Sequence, residues 1–196
     1  MYPHLLERVC STSAIMAERV RWLARARGEV LEVGVGSGLN LPLLDPQHIT
    51  SFVGLDPSPP LLARAAARIS RVPTTLVAGT AEALPFDGAR FDTVLLTYTL
   101  CSVDDPARAL AEIRRVLRPG GVLVFVEHGA ATKPRTLRWQ HRLTPLWRLV
   151  SGNCHLDRDV PRLLEAAGLT VTELDGRDSD ASPLSYAYSG IARATG

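Results

Sequence analysis

The feature that most constrains the fold is a regular alternation of short apolar segments with longer amphipathic ones. The apolar segments have the length of strands, and the fourth is almost continuously apolar, as expected for a strand buried on both faces. Strand–helix–strand repeats connect through right-handed crossovers, so the alternation predicts an α/β fold with a doubly wound parallel sheet. The predicted strands are Glu29–Val33, Ser51–Leu55, Thr74–Ala78, Phe91–Thr97 and Val122–Val126.

Two further apolar segments follow near the end of the chain. Leu169–Leu174 and Ser185–Ala194 read as strands joined by GRDSDASPLS, which favours an antiparallel hairpin at one edge of the sheet. The expected architecture is therefore a Rossmann-like, mostly parallel sheet of seven strands, in a single domain that covers residues 1–196.

The helical periodicity of the remaining segments, with proline or glycine at their ends, predicts the helices. His4–Arg27 reads as one or two helices, and residues 1–27 are interpreted as a lid or packing segment. The other predicted helices are one opened by the glycine loop and stopped near Pro42–Pro46, then Pro60–Arg71, Pro106–Leu117, Thr136–Val150 and Asp159–Ala167.

Composition indicates an ordinary globular protein. The net charge of +2 is small and the basic residues are scattered, so we expect no nucleic-acid partner. The chain shows no membrane span and no signal peptide. Cys10, Cys101 and Cys154 form no C-x-x-C pair and give no disulfide framework, so a reducing cytoplasm is the expected location. The oligomeric state stays open.

The stretch LEVGVGSGLN turns the first predicted strand into a glycine loop with Gly34, Gly36 and Gly38. Such loops bring backbone N–H groups close to a nucleotide-like ligand. The dinucleotide fingerprint requires its third glycine where this chain has Leu39, which disfavours a nicotinamide cofactor. Asp56, at the end of the second strand, can accept both hydroxyls of a ribose.

The pattern E-x-G-x-G-x-G with Asp56 resembles the cofactor site of class I S-adenosylmethionine (SAM) methyltransferases. AGTAEALPFDGARFDTV and RVLRPGGVLVFVEH resemble later motifs of that family, so the resemblance runs from about Gly28 to Gly168. It implies SAM as cofactor. One departure is Thr80, where the family often has an aspartate that contacts adenine; Glu82 is an alternative contact. The cofactor-binding residues that the resemblance implies are Glu32, Gly34, Gly36, Gly38, Asn40, Asp56, Pro57, Thr80, Ala81, Glu82, Thr97 and Leu100.

Loops at the same end of the sheet should hold the methyl acceptor. His128, after the fifth strand, is the candidate general base, with Glu127 to orient it and His155 nearby. The alternative is that Glu127 or His128 only caps a helix or fixes a loop. Cys101 resembles a nucleophile, but a buried cysteine that packs as a small apolar group is commoner.

The segment C-H-x-D-x-D from Cys154 to Asp159 matches no zinc-ligand spacing, so we expect no metal site. Asp157 is interpreted as the N-cap of the next helix. Trp139 and Trp147 are expected in the core, although Trp139 could line an apolar pocket.

DPSPPLL, TLCSV, EHG and the segment from Trp139 to Arg158 resemble one branch of the ubiquinone/menaquinone-methyltransferase-like group, which includes enzymes that methylate small lipophilic thiols. The resemblance implies a small, largely apolar acceptor such as a thiol, a quinol or phenol, or a lipid-like amine. A catalytically silent SAM-binding protein and a nicotinamide-dependent oxidoreductase are the alternatives. The N-terminal helix is expected to form a lid or packing element; its alternative is a membrane-surface contact through Trp22.

Overall fold

The computed structural model describes residues 11–178 and 186–194. Within them, seven strands form one sheet in the order β3-β2-β1-β4-β5-β7-β6. The first five strands are parallel to one another, and β7 runs antiparallel to both β5 and β6. The sheet confirms the predicted fold class. The strands are β1 Gly28–Val33, β2 Ile49–Asp56, β3 Thr74–Ala78, β4 Phe91–Thr97, β5 Leu117–Gly129, β6 Leu169–Asp178 and β7 Tyr186–Ala194.

Helices cover both faces of the sheet. Side chains alternate along the central strands, so Val94 and Leu96 of β4 join one apolar cluster while Leu95 joins the other. The described helices are α1 Ser13–Leu23, α2 Pro59–Ala66, α3 Pro106–Val116, α4 Pro134–Val150 and α5 Val160–Ala166.

The glycine loop does not open an α-helix, contrary to the sequence prediction. It runs into a single 3-10 turn, Leu41–Leu43, because Pro42 and Pro46 prevent a longer helix. The positive dipole end of a long helix therefore plays no part here, and the loop offers only its own backbone N–H groups.

Strand β5 is longer than predicted and begins at Leu117. The RPGG stretch, expected only to stop the preceding helix, lies inside this strand, and its pairing with β4 shifts register between Phe91 and Thr93. The predicted helix over Pro60–Arg71 is also shorter, since α2 ends at Ala66.

Helix α1 packs against the sheet and buries Trp22. This burial contradicts the alternative in which Trp22 meets a membrane surface. The predicted helical residues before Ser11 and the loop residues 179–185 lie outside the described residues. No helix that the structure describes combines the length and the apolar character of a membrane span.

Candidate active site

A cavity of about 660 Å³ opens at the carboxyl ends of the parallel strands. The strand order reverses between β1 and β4, which is where open α/β sheets bind ligands. Its volume is typical of a small-molecule site. Nine predicted site residues line it: Gly34, Gly36, Asp56, Pro57, Thr80, Ala81, Glu82, Thr97 and His128. Six others are not among its lining residues: Glu32, Gly38, Asn40, Leu100, Glu127 and His155.

The glycine loop forms one wall of the cavity. Gly34 has φ +76°, and a Cβ there would lie 2.2 Å from Oγ1 of Thr99, so the loop and the segment after β4 approach too closely for any side chain. Gly36 has φ +54°, and a Cβ there would meet nothing within 4 Å. The loop thus leaves room for a ligand against its backbone.

Asp56 fixes two backbone segments while it faces the cavity. Its Oδ2 accepts a hydrogen bond from the Gly36 N–H at 2.9 Å, and its Oδ1 accepts one from the Ser58 N–H at 2.9 Å. Burial raises the pKa of this carboxyl, although both hydrogen bonds oppose the change. The remaining lone pairs suit a ligand that brings hydroxyl donors, such as a ribose.

Glu32 lies beneath the cavity in a buried polar network. Its Oε1 accepts hydrogen bonds from Nδ2 of Asn40 at 2.6 Å and from Oγ1 of Thr97 at 2.8 Å. Its Oε2 is buried and finds no hydrogen-bond partner among residues 11–178 and 186–194. Burial raises the pKa of Glu32 to about 7 against the opposing charge of Arg19.

Arg19 of α1 completes this network, and the sequence analysis missed it. Its Nη1 donates to Oδ1 of Asn40 and to Oγ1 of Thr97, each at 2.9 Å, and its guanidinium lies 5.4 Å from the ring centroid of Tyr98. The side chain lines the cavity, yet its Nε is buried and has no hydrogen-bond partner in the part of the chain that the structure describes. Nothing in the sequence distinguishes a buried arginine of an amphipathic helix from an arginine that is exposed to solvent.

The segment after β3 provides the opposite wall. Thr80 and Ala81 line the cavity, and Thr80 forms an isolated backbone bridge with Ala83. Glu82 also lines it, with its Oε1 accepting hydrogen bonds from the backbone N–H groups of Asp104 and Asp105 at 3.1 and 3.4 Å. This carboxylate therefore ties the segment to the loop after β4.

That loop, residues 97–105, is held from two sides. The buried Glu127 carboxylate accepts the backbone N–H groups of Thr99, Leu100 and Cys101. Arg158 donates to the carbonyl oxygens of Leu100 and Val103. Through these contacts Glu127 positions the loop. This is the second of the two roles that the sequence suggested for it, the first being to orient His128.

A second part of the cavity wall is formed by His128, Cys101, Cys154 and Trp147. The His128 ring packs edge-on against Tyr98 with centroids 4.8 Å apart, and its Nδ1 lies 3.7 Å from Sγ of Cys154. Tyr98 has φ +58°, a conformation that ordinary side chains rarely adopt and that often marks functional sites.

His155 approaches the site through its backbone. Its backbone N–H donates to the Cys101 carbonyl at 2.8 Å, but its ring does not belong to the cavity wall. Burial, with Arg158 and Arg148 nearby, lowers the pKa of this ring.

Two smaller predictions in this region are wrong. Asp159, not Asp157, is the N-cap of α5, since Asp159 accepts the Arg162 N–H whereas Asp157 lies 2.7 Å from Nδ1 of His141. Trp139 and Trp147 are not core residues but are 46% and 42% exposed on α4. Of the two, Trp147 lines the cavity. The helix places them outward because its inner face is narrow and carries Gln140 and Thr144.

Comparison with known proteins agrees with this geometry. Residues 31–125 match the family described as a methyltransferase domain. The chain is 33% identical to human thiol S-methyltransferase TMT1B over 80% of its own length and 67% of that protein's. It is also 33% identical to demethylmenaquinone methyltransferase of Thermus thermophilus, over 83% and 79%. It spans 61–67% of the length of three thiol S-methyltransferases that it matches.

Among solved structures, a SAM-dependent methyltransferase from Mesorhizobium loti superposes with a TM-score of 0.68 at 18% identity, over 94% of this chain and all of that one. This likeness shows the fold.

The residues present fit SAM. The cavity offers an open glycine wall at Gly36 and the Asp56 carboxylate for ribose hydroxyls. Arg19 lines the cavity and Glu32, bound to the same network, does not; among the described residues the buried Nε of Arg19 and Oε2 of Glu32 have no hydrogen-bond partner. The first donates and the second accepts, as the carboxylate and ammonium of a methionine end require. The chain belongs to the class I SAM-dependent methyltransferases, the family whose cofactor this cavity suits.

Proposed function

We propose that the protein transfers a methyl group from SAM to a small, largely apolar acceptor. One observation carries the proposal. The cavity joins a polar end, with Gly36, Asp56 and Thr80, to a second end lined by Cys101, His128 and Trp147, so both reactants fit in one enclosed space. Holding two reactants in line replaces a bimolecular encounter, which is the main contribution that methyl transfer needs.

At the polar end, Asp56 receives the ribose hydroxyls and the Thr80–Glu82 segment borders the adenine. Arg19 donates to the carboxylate of the methionine end, with the Glu32 network beneath it. When bound, SAM supplies a methyl group already activated by its sulfonium sulfur. The protein's own task is to position this group and to exclude water.

At the acceptor end, His128 is the proposed base. Its ring lines the cavity and is held by Tyr98, so it can take a proton from a thiol or quinol as the methyl group is transferred. Glu127 acts through the loop that it positions. The apolar ring of Trp147 in the cavity wall favours a lipophilic acceptor. Two relatives are named as a thiol S-methyltransferase and a demethylmenaquinone methyltransferase, which agrees with this preference.

A membrane surface is the proposed source of that acceptor. Helix α4 exposes Leu146, Trp147, Leu149 and Val150, and the segment 128–156 contains five basic residues and no acidic one. This combination of exposed apolar and basic side chains suits an anionic lipid surface. Because Trp147 is both exposed and part of the cavity wall, a lipophilic molecule has a short path from that surface.

The test is an acceptor screen with trideuteromethyl-labelled SAM, followed by mass spectrometry of S-adenosylhomocysteine and of labelled product. Thiols, quinols, phenols and lipid-like amines form the panel. We expect a labelled product from at least one lipophilic member. SAM binding without turnover on any class would contradict the catalytic proposal and favour a silent SAM-binding protein.

A further inference from the structure

Three side chains with metal-binding atoms meet at the acceptor end of the cavity. Cys101 comes from the loop after β4, His128 from the end of β5 and Cys154 from the turn after α4. One ligand atom of each lies within 4.8 Å of the other two. Because the three residues come from separate loops, no spacing along the sequence reveals the cluster.

The separations suit one small ion. In a tetrahedral zinc site with Zn–S of about 2.3 Å and Zn–N of about 2.0 Å, ligand atoms lie about 3.5–3.8 Å apart. Sγ of Cys154 and Nδ1 of His128 are 3.7 Å apart. Small adjustments of side-chain rotamers would bring all three atoms to these distances.

The backbone that carries the cluster is fixed. The Cys101 N–H donates to Glu127 and its carbonyl accepts from the His155 N–H, so the segments that bear Cys101 and Cys154 are hydrogen-bonded to each other. Arg158 holds the same loop through Leu100 and Val103. A site built on backbone that is already ordered needs little rearrangement to bind an ion.

We propose that Cys101, His128 and Cys154 bind Zn²⁺ and leave one coordination position open to the cavity for the sulfur of a thiol acceptor. Two thiolates and an imidazole are ligands that zinc prefers, and three protein ligands with one open position are typical of catalytic zinc. All three side chains line the cavity, so the open position faces the acceptor space. The proposal rests on the methyltransferase function proposed above and narrows its acceptor to thiols.

Charge supports the same assignment. A divalent ion would balance two thiolates, and an acceptor thiolate would add one negative charge. Arg158, which interacts electrostatically with both cysteines, lies where it can balance that charge.

The zinc-bound step differs from general-base catalysis. As the acceptor binds, its S–H bond breaks and the proton leaves to solvent. Its sulfur then bonds to the methyl carbon, the bond between that carbon and the sulfonium breaks, and the electron pair remains on S-adenosylhomocysteine. For thiol acceptors His128 is thus a ligand, whereas the base role proposed above belongs to the metal-free protein.

Cobalt(II) is the probe that tests the site, because thiolate ligation gives it a charge-transfer absorption and tetrahedral geometry gives it intense d–d bands. Full-length protein is titrated with Co²⁺ in a Cys10→Ser background, so that Cys101 and Cys154 are its remaining thiols. We expect one Co²⁺ per chain with both spectral features, and displacement by Zn²⁺. A small thiol acceptor should shift the d–d bands, and a quinol should not.

Variants separate the ligand role from the base role. Cys101→Ser, Cys154→Ser and His128→Ala should each weaken Co²⁺ binding at least tenfold, while His48→Ala, whose exposed ring pairs with Asp45, should not. Retained SAM affinity shows that each variant is folded. General-base catalysis by His128 does not need the side chain of Cys101 or of Cys154. Methylation of a thiol acceptor that survives both serine substitutions would therefore overturn the proposal.

Two other results would also overturn it. One is Co²⁺ binding without thiolate charge transfer, and the other is a Cys101–Cys154 disulfide that blocks binding until it is reduced and still gives no Co²⁺ site afterwards. Failure of the methyltransferase function would look different. SAM binding or turnover would then be missing for every acceptor class, while the cobalt spectra would still report the ion site.

Discussion

Arg19 and Asn40 show how single residues shape the polar end of the cavity. Oδ1 of Asn40 accepts a hydrogen bond from Arg19 while its Nδ2 donates to Glu32, so one amide joins a cation from α1 to the acid of the glycine motif. The shared hydrogen bonds hold the guanidinium against the cavity wall. A preorganised donor of this kind loses little entropy when a ligand carboxylate arrives.

Replacing Arg19 with glutamine should weaken SAM binding by about 1.5–3 kcal/mol, the usual range for a lost charged hydrogen bond. Calorimetric titration with SAM measures the change, with Arg21→Gln as the matched control, since Arg21 is exposed on the same helix. Methylthioadenosine, which has no carboxylate, should bind both variants like the parent protein. An equal loss for this ligand would contradict the carboxylate role.

Asp56→Ala should also cost about 1.5–3 kcal/mol of SAM affinity, because it removes a carboxylate acceptor from the ribose position. Asp45→Ala, on an exposed turn, is the control. An unchanged dissociation constant for Asp56→Ala would exclude this residue from the site.

The raised pKa of Glu32 predicts that the free energy of unfolding depends on pH. Its pKa is raised from 4.5 to about 7, so between these values the folded protein keeps a proton that the unfolded chain has lost. The free energy of unfolding should therefore fall as pH rises through this range. Relative to Glu32→Gln, the parent should lose on the order of 2–3 kcal/mol between pH 5 and 8, measured by urea unfolding. Parallel pH profiles for the two proteins would contradict the raised pKa.

Among the secondary-structure elements, the loops carry the residues of the proposed methyl transfer, and helix α4 is the proposed route by which the acceptor reaches the cavity. The loop after β4 is bound by Glu127, Arg158 and Glu82 from three different segments, so its conformation depends on the whole carboxyl edge of the sheet. Helix α4 instead presents basic and apolar side chains to solvent next to the cavity.

Vesicle binding tests the role assigned to α4. The protein should sediment with vesicles that contain phosphatidylglycerol and much less with pure phosphatidylcholine, and added salt should weaken the binding. Leu149→Glu should reduce binding several-fold, whereas Ile69→Glu should not, although the two side chains are similarly exposed at 79% and 82%. Equal effects of the two substitutions would contradict a docking surface on α4.

Element types were largely predictable from the sequence, but their ends and contacts were not. Strand β4 is recognisable from its continuous apolar run, which is typical of a strand buried on both faces. The positions of Gly34 and Asp56 at the site were predictable from the spacing of the glycine motif and the second strand. Arg19 and the Cys101–His128–Cys154 cluster depend on long-range packing, which no local pattern encodes. The prediction of a helix after the glycine loop was wrong, because Pro42 and Pro46 limit this segment to a 3-10 turn.

At the scale of the molecule, the switch in strand order between β1 and β4 creates the cavity, and α1 and the turn after α4 contribute to its wall. Arg19 comes from before β1 and Cys154 from after β5, so the site needs most of the chain. A cofactor bound at one end should therefore stabilise the whole fold by mass action.

Calorimetric titration of the protein with SAM, S-adenosylhomocysteine and NAD tests whether the cavity is a SAM site. We expect one site per chain for each of the first two ligands, and no binding of NAD. It also predicts that Asp56→Ala and Arg19→Gln weaken SAM binding while Arg21→Gln does not. Binding of NAD without either sulfur compound would contradict it.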